Sequence, residues 1–485
     1  MEMLQDRTLF KEANFIGGDW FNPSNGSHLK IYNPFDNSLL GVIPNFGRRE
    51  TELAIQAAKD VFPTWKATPA KERANILKSW LKLVLENTED LARILTLEQG
   101  KSIQESRAEI KYAASYIDWF SEEAKRSYGD IVPSHKRDNR IFVLKEPIGI
   151  VATITPWNFP SAMLARKVAA ALAAGCTVVS KPSELTPYSA LALVTLAERA
   201  GLPKGVWNVI TGDYQEIGET ILANPLIRKI SFTGSTAVGM YLMEKSAKTL
   251  KKLSLELGGN APFIIFKDAN LEEALKGALF AKFRNSGQTC VCVNRFLIEE
   301  SIAQEFATKL AALASKLKIG NGLDPDTEQG PLIHSSAIIK IKRHIDDAKA
   351  KGAKVIVGGK SHSLGGTFFE PTVLFPVTQD MLVCKEETFG PVASIQTFKT
   401  EEEAIHLAND TSFGLAAYVY TKEIARLFRI AENLEYGMIG INEAAISSEQ
   451  IPFGGVKYSG MGREGSKYGL DDYTVTKYIC LGGIT

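Results

Sequence analysis

From residue 148 onward the chain alternates short apolar runs with helix-spaced segments, and this alternation constrains its fold more than any other feature. Residues 148–154 read as a strand and 162–174 as a helix. The pair recurs at 177–179 with 188–200, at 206–210 with 215–223, and at 230–232 with 238–246. Continuous apolar strands, each followed by a helix, predict an α/β fold with a doubly wound parallel sheet covered on both faces. Ligands of such sheets bind beyond the carboxyl ends of the strands. The residues that follow each strand therefore carry the functional reading.

After the first strand comes Thr155-Pro156-Trp157-Asn158-Phe159-Pro160. An asparagine between two prolines sits on a stiff turn, and a fixed side-chain NH₂ is what an oxyanion hole needs. After the second comes Ser180-Lys181-Pro182-Ser183-Glu184. Its cation and carboxylate could grip a ribose or phosphate; the plainer alternative is a solvated helix start with Glu184 facing the dipole. After the fourth, Thr233-Gly234-Ser235-Thr236-Ala237-Val238-Gly239 opens a helix whose backbone N–H groups can face a pyrophosphate. This run lacks one glycine of the dinucleotide fingerprint.

A second α/β stretch, from about Leu253 to Met438, holds Asn285-Ser286-Gly287-Gln288-Thr289-Cys290-Val291-Cys292 between a predicted helix over 274–283 and a predicted strand over 293–298. A thiol on such a joint can be aimed into a cleft, or it can be a small buried hydrophobe. Two thiols one residue apart could also close a disulfide if their Cα atoms come within about 7 Å; the alternative is that Cys292 is inert packing. Glu256, in Leu255-Glu256-Leu257-Gly258-Gly259, ends an apolar run, where burial raises a carboxyl pKa and suits it to general-base work. Histidines 28, 135, 334, 344, 362 and 406 lie in none of these segments, so a helper for Cys290 is Glu256 or a water. With no Cys-x-x-Cys and no His-Glu-x-x-His, no metal site is expected.

The N-terminal region predicts short strands at 15–20 and 30–34 joined by a turn over 23–26. Helices follow over 50–120, with breaks at Pro69 and Gly100. Residues 126–144 turn polar and extended, as in a hairpin arm that makes subunit contacts or simply covers the surface. The chain from Ile451 is glycine-rich and ends in a strand-like 473–481. A net charge of +1 gives no reason to expect nucleic acid or an anionic membrane as a partner. Five irregularly spaced cysteines, a polar N-terminus and no apolar run long enough to span a bilayer predict a soluble, cytoplasmic protein.

Together these segments resemble the aldehyde dehydrogenase superfamily. The resemblance rests on Pro156-Trp157-Asn158-Phe159-Pro160, Phe232-Thr233-Gly234-Ser235, Glu256-Leu257-Gly258-Gly259, Gly287-Gln288-Thr289-Cys290 and Glu387-Thr388-Phe389-Gly390-Pro391, in the family's order. It implies Cys290 as nucleophile, Glu256 as general base, and Asn158 as an oxyanion donor beside the Cys290 backbone N–H. It further implies that Thr155, Trp157, Lys181, Ser183, Glu184, Gly234, Ser235, Leu257, Glu387 and Phe389 surround a nicotinamide dinucleotide. Glu184 would repel a 2′-phosphate, which favours NAD; Lys181 pulls the other way and keeps NADP open. The implied architecture is a cofactor domain (1–125 and 145–252), a catalytic domain (253–450), an oligomerisation arm (126–144 and 471–485) and a returning segment (451–470), assembled as a homodimer or homotetramer.

Within that superfamily the chain resembles the branch that oxidises succinate semialdehyde. It is marked by Lys282-Phe283-Arg284-Asn285, Cys290-Val291-Cys292 and Pro452-Phe453-Gly454-Gly455-Val456-Lys457-Tyr458-Ser459-Gly460, which runs into Arg463-Glu464-Gly465. Arg166 lies on an apolar helix, where a charge is costly unless it meets an anion; an internal salt bridge is the alternative to a ligand. By resemblance, Arg166, Arg284 and the Ser459 hydroxyl hold the substrate's far carboxylate. The other readings open at this point are an enzyme for another aldehyde, such as glutarate semialdehyde, and a cysteine hydrolase without redox cofactor.

Overall fold

In the computed structural model, which describes residues 3–23 and 26–484, the alternation closes into an eight-stranded sheet. Its order is Gly460–Met461, Lys252–Glu256, Ile227–Thr233, Ile150–Ile154, Thr177–Lys181, Trp207–Val209, Asn14–Ile16 and Asp19–Phe21. The strands from Lys252–Glu256 to Trp207–Val209 run parallel. Ile154 is in register with both Lys181 and Phe232, and Thr233 with Glu256, so these strand ends lie side by side along one edge. The chain leaves Ile150–Ile154 towards Thr177–Lys181 and later returns to its other flank with Ile227–Thr233. That reversal is a topological switch point, and it opens a crevice where Thr155–Pro160 and Gly234–Ser235 emerge.

The second sheet has seven strands in the order Lys354–Val357, Thr372–Phe375, Val392–Phe398, Val293–Glu299, Ala261–Ile265, Ala416–Tyr420 and Met438–Ile441. All its pairings are parallel except the first. Cys290, Gly258 and Glu387 come just before strands of this sheet. It therefore offers its amino edge to the same crevice that the first sheet faces with its carboxyl edge. Strand Lys252–Glu256 belongs to the first sheet, so the switch between sheets falls after Glu256 and not at the expected 252/253. Three further strands, Thr474–Leu481, Arg140–Pro147 and Asp130–Val132, form a separate antiparallel sheet that couples the C-terminus to the polar arm.

Four helices fill the early region, Arg48–Ala67, Ala70–Glu86, Thr88–Gln99 and Ile103–Glu123. The breaks at Pro69 and Gly100 fall as expected, while the one at Asn87 carries no Pro or Gly signal. Ile103–Glu123 packs along Pro160–Ala174, every residue of which is buried, including Arg166 and Lys167. The N-terminal strands pair differently from expectation. Left-handed Gly17 and Gly18 split the first run, so Asn14–Ile16 folds back on Asp19–Phe21. His28–Tyr32 instead takes Leu39–Pro44 as its partner. Among the described residues no helix is long and apolar enough to cross a membrane.

Candidate active site

The loop that delivers Cys290 is shaped by three consecutive left-handed residues. Helix Leu271–Phe283 stops at Arg284; Asn285, Ser286 and Gly287 then take φ of 50°, 56° and 75°. A Cβ on Gly287 would stand 2.2 Å from the Gly390 carbonyl oxygen, so backbone crowding as well as φ demands glycine there. The chain re-enters order with Cys292 N–H donating to Thr289 O (3.0 Å). Cys290 lines a cavity of ≈ 510 Å³ with Asn158, Thr233, Leu257, Gln288, Glu387 and Phe389. Burial pushes its thiol up to about 12, against the pull of Arg166. The resting thiol is therefore neutral and would need a base to act as a nucleophile. Cys292 is buried instead, its Sγ 3.4 Å from the buried Lys282 Nζ, and both thiols are free.

Asn158 donates from Nδ2 to Gln288 O (3.1 Å), while its Oδ1 accepts from Phe159 N (3.1 Å). An amide carries two N–H donors, so one remains for a ligand in the cavity. Glu256 closes its strand, and its own carbonyl accepts from Gly234 N (3.0 Å). Its carboxylate is buried, and neither oxygen meets a hydrogen-bond partner among the described residues. Desolvation, reinforced by Glu464, holds its pKa well above the carboxylate range; Arg166 and Lys167 oppose. Both of those cations pair with Glu464, and Lys167 Nζ also reaches Ser231 Oγ (3.3 Å). Burial lowers the Lys167 pKa, and Glu464 resists.

A second cavity of ≈ 650 Å³ is lined by Thr155, Lys181, Ser183, Glu184, Tyr214, Val238 and Tyr241. It shares Pro156, Trp157, Thr233, Gly234 and Ser235 with the first, so the two form one trough along the switch point. Ser235 caps helix Thr236–Ser246 by accepting from Val238 N, which leaves the other first-turn N–H groups at the trough. The hydroxyls of Thr155 and Thr233 are buried in its wall without a partner among the described residues. Such orphaned polar atoms fit a bound dinucleotide. Lys181 and Glu184 pair at 2.8 Å. Ser183 Oγ accepts from Leu185 N (3.2 Å). Leu257 walls the cavity that holds Cys290. Phe389 (φ 57°) packs edge-on to Trp157 at 5.6 Å between centroids. Glu387 accepts from Gly259 N (3.0 Å), and burial raises its pKa. The trough therefore gathers all ten residues expected around a cofactor.

The residues expected to hold a distal carboxylate do not behave alike. Arg284 lies over the rings of Phe159 (5.1 Å) and Phe280 (5.3 Å) and lines a cavity of ≈ 600 Å³ with Glu105, Tyr112 and Phe283. It also borders a small void beside Thr289 and Val291, the residues that flank Cys290. It has no ion-pair partner among the described residues. Arg166 is fully buried over the Phe453 ring (4.6 Å) and pairs with Glu464, the internal salt bridge that was the alternative reading. Its Nη1 and Nη2 nonetheless have no partner among the described residues. Ser459 is a correction. Its Oγ donates to Gly258 O (2.7 Å) and accepts from Gly414 N (2.9 Å) in a fully buried setting. Its only proton is already committed, so the hydroxyl ties the returning segment to the site and is not free for substrate.

Sequence reasoning missed two buried ion pairs at the site, Lys167–Glu464 and Lys101–Glu109. The doublet Arg166-Lys167 inside an alanine-rich helix was a usable signal, since two buried cations require an anion. The other three sit in segments whose proximity only the fold creates.

Comparison with known proteins agrees with this geometry. The model of the aldehyde dehydrogenase family matches residues 20–479. A glutarate-semialdehyde dehydrogenase of Pseudomonas aeruginosa is 55% identical, covering 99% of this chain and 100% of the relative. A succinate-semialdehyde dehydrogenase [NADP(+)] of Escherichia coli is 54% identical, covering 99% of each chain. The crystal structure of succinate-semialdehyde dehydrogenase from Burkholderia pseudomallei superposes with a TM-score of 0.98 at 55% identity, over 99% of this chain and 100% of that one.

Proposed function

The chain belongs to the aldehyde dehydrogenase family, and from that premise we propose that it oxidises succinate semialdehyde to succinate. The carrying observation is Arg284, an arginine without an ion pair among the described residues, on an aromatic-walled cavity next to the nucleophile loop. Guanidinium suits a carboxylate geometrically, and a semialdehyde acid of this size carries one at the end opposite its carbonyl. The Nη groups of Arg166, without a partner among the described residues, are the second anchor in this reading. The named relatives act on semialdehyde acids that differ by one methylene, so glutarate semialdehyde is the nearest competitor.

In this reading the substrate's carboxylate docks on Arg284 and its carbonyl reaches Cys290. Glu256 removes the thiol proton, and the sulfur adds to the carbonyl carbon. The oxygen takes up negative charge and accepts a hydrogen bond from the free Nδ2–H of Asn158, with the Cys290 N–H beside it. When bound, a nicotinamide dinucleotide supplies the acceptor for the hydride that this tetrahedral centre expels. Cys290 is left as a thioester. Glu256, once it has released the thiol proton to solvent, takes a proton from the water that attacks the acyl carbon; the departing thiolate receives that proton as the acid is freed. Lys167 favours the charged form of Glu256 and Glu464 opposes it, while the two pair with each other. A cysteine hydrolase would have no use for the trough.

The Lys181–Glu184 pair supports NAD as the preferred cofactor. With Lys181 neutralised, a 2′-phosphate would meet the Glu184 carboxylate. The arm sheet exposes Ile131, Tyr478 and Leu481, an apolar surface that supports pairing of subunits into a homodimer or homotetramer, to be read by sedimentation equilibrium. The substrate assignment is tested by kcat/KM over a panel of aldehydes with both cofactors. Preference for a neutral aldehyde over both semialdehyde acids would reject it.

A further inference from the structure

Beneath Asn158 lies a fully buried ion pair that the mechanism above does not use. Lys101 Nζ meets Glu109 Oε2 at 2.6 Å, both side chains being shielded from solvent. The same Nζ donates to the backbone carbonyl of Asn158 at 2.7 Å and lies 3.8 Å from the centroid of the Phe159 ring. Glu109 turns its other oxygen to Ser161 N (2.9 Å) and Ala162 N (3.2 Å), in the first turn of helix Pro160–Ala174. The pair thus grips the chain on both sides of Phe159: at the peptide that carries the oxyanion donor, and at the helix start that follows it.

The pair is itself anchored. Lys101 follows Gly100, a left-handed residue (φ 95°) that ends helix Thr88–Gln99. Glu109 and Glu105 project from helix Ile103–Glu123, and Glu105 accepts from Asn285 N at 2.6 Å. Asn285 in turn donates from Nδ2 to the Asn158 carbonyl (3.0 Å). One rigid helix therefore holds the donor turn and the nucleophile loop in a fixed relation. Two buried charges lose their hydration, so a Lys–Glu pair fills this space less favourably than an apolar pair would. Its geometry does something an apolar pair would not do, because it clamps a carbonyl with a cation.

We infer that Lys101, held by Glu109, is a positioning residue that fixes the Asn158 amide for oxyanion stabilisation. The inference rests on the reading of Asn158 as an oxyanion donor. A misplacement of about 1 Å at such a donor costs roughly 10²-fold in rate. Lys101→Met should therefore lower kcat by a factor of that order while the KM for aldehyde and cofactor stays within a few-fold.

The deciding experiment is a double-mutant cycle with Asn158→Ala. Once the donor is gone, removing its clamp should cost no more than a few-fold further in kcat, because coupled sites are non-additive. Lys101→Met strands the Glu109 carboxylate and could fail to fold. The charge-neutral Lys101→Met/Glu109→Gln variant is therefore measured in parallel, with thermal melting as the control, and should show the same coupling. Multiplicative losses in the cycle would overturn the inference and leave Lys101 a stability residue. So would a wild-type kcat in the folded charge-neutral variant. An Asn158→Ala enzyme with full kcat would instead remove the reading on which the inference rests.

Discussion

Replacing Arg284 with leucine is the cleanest perturbation of substrate recognition. The guanidinium rests on Phe159 and Phe280 and has no carboxylate partner among the described residues, so its loss breaks no direct ion pair. One charge-assisted hydrogen bond contributes about 1.5–3 kcal/mol, and about 1.4 kcal/mol corresponds to tenfold in rate. The kcat/KM for succinate semialdehyde should fall roughly 10- to 10²-fold. The ring contacts are lost for every substrate, but at about 0.5–1 kcal/mol they account for no more than roughly two- to fivefold. Butanal, which has no carboxylate, reports that common part. The assay is the growth of reduced-nicotinamide absorbance with each aldehyde on wild type and Arg284→Leu. Equal losses on both substrates would refute the reasoning. Arg166→Leu is a poorer probe, because it removes one of the two cations that pair with buried Glu464. Breaking such a pair destabilises by up to roughly 3–5 kcal/mol.

Asn158→Ala should lower kcat by roughly 10²–10³ with little change in KM, the signature of an interaction made only in the transition state; a KM effect alone would argue against it. Glu184→Gln should raise kcat/KM for NADP relative to NAD, and a wild-type enzyme that already prefers NADP would show that the Lys181–Glu184 pair does not select. Burial holds Glu256 above its usual range and pushes the Cys290 thiol up to about 12, so both resist losing a proton. Because the reaction needs those protons removed, kcat/KM should rise with pH through neutrality. Arg166 lowers the thiol pKa, so Arg166→Leu should move this limb further up; a limb that stays put or moves down would contradict the assignment.

The first sheet was legible because its strands are buried on both faces and its helices are amphipathic or apolar, so the period of each segment gives its type. The residues that follow those strands then fell into one crevice because parallel register aligns strand ends, as at Ile154, Lys181 and Thr233. The run from Asn285 to Gly287 was readable as a joint, but the close approach of Gly390 that leaves Gly287 no room for a Cβ is visible only in the fold. Ser459 misled because a hydroxyl in a motif looks free. Only the approach of Gly258 and Gly414 reveals that it is used. Lys101 and Glu109 gave no sign, since one lysine and one glutamate in a helical region are ordinarily solvated, and burial under Phe159 is a property of the tertiary packing.

The central claim is that the acyl group passes through Cys290. Acid quench of the enzyme turning over saturating succinate semialdehyde and cofactor, followed by peptide mapping, tests it directly. The account predicts the mass of one succinyl group on the peptide carrying Cys290, localised to Cys290, retained in Cys292→Ala and absent in an inactive Cys290→Ala enzyme. A succinyl adduct on Cys292 or on any other residue, or full turnover by Cys290→Ala, would contradict it.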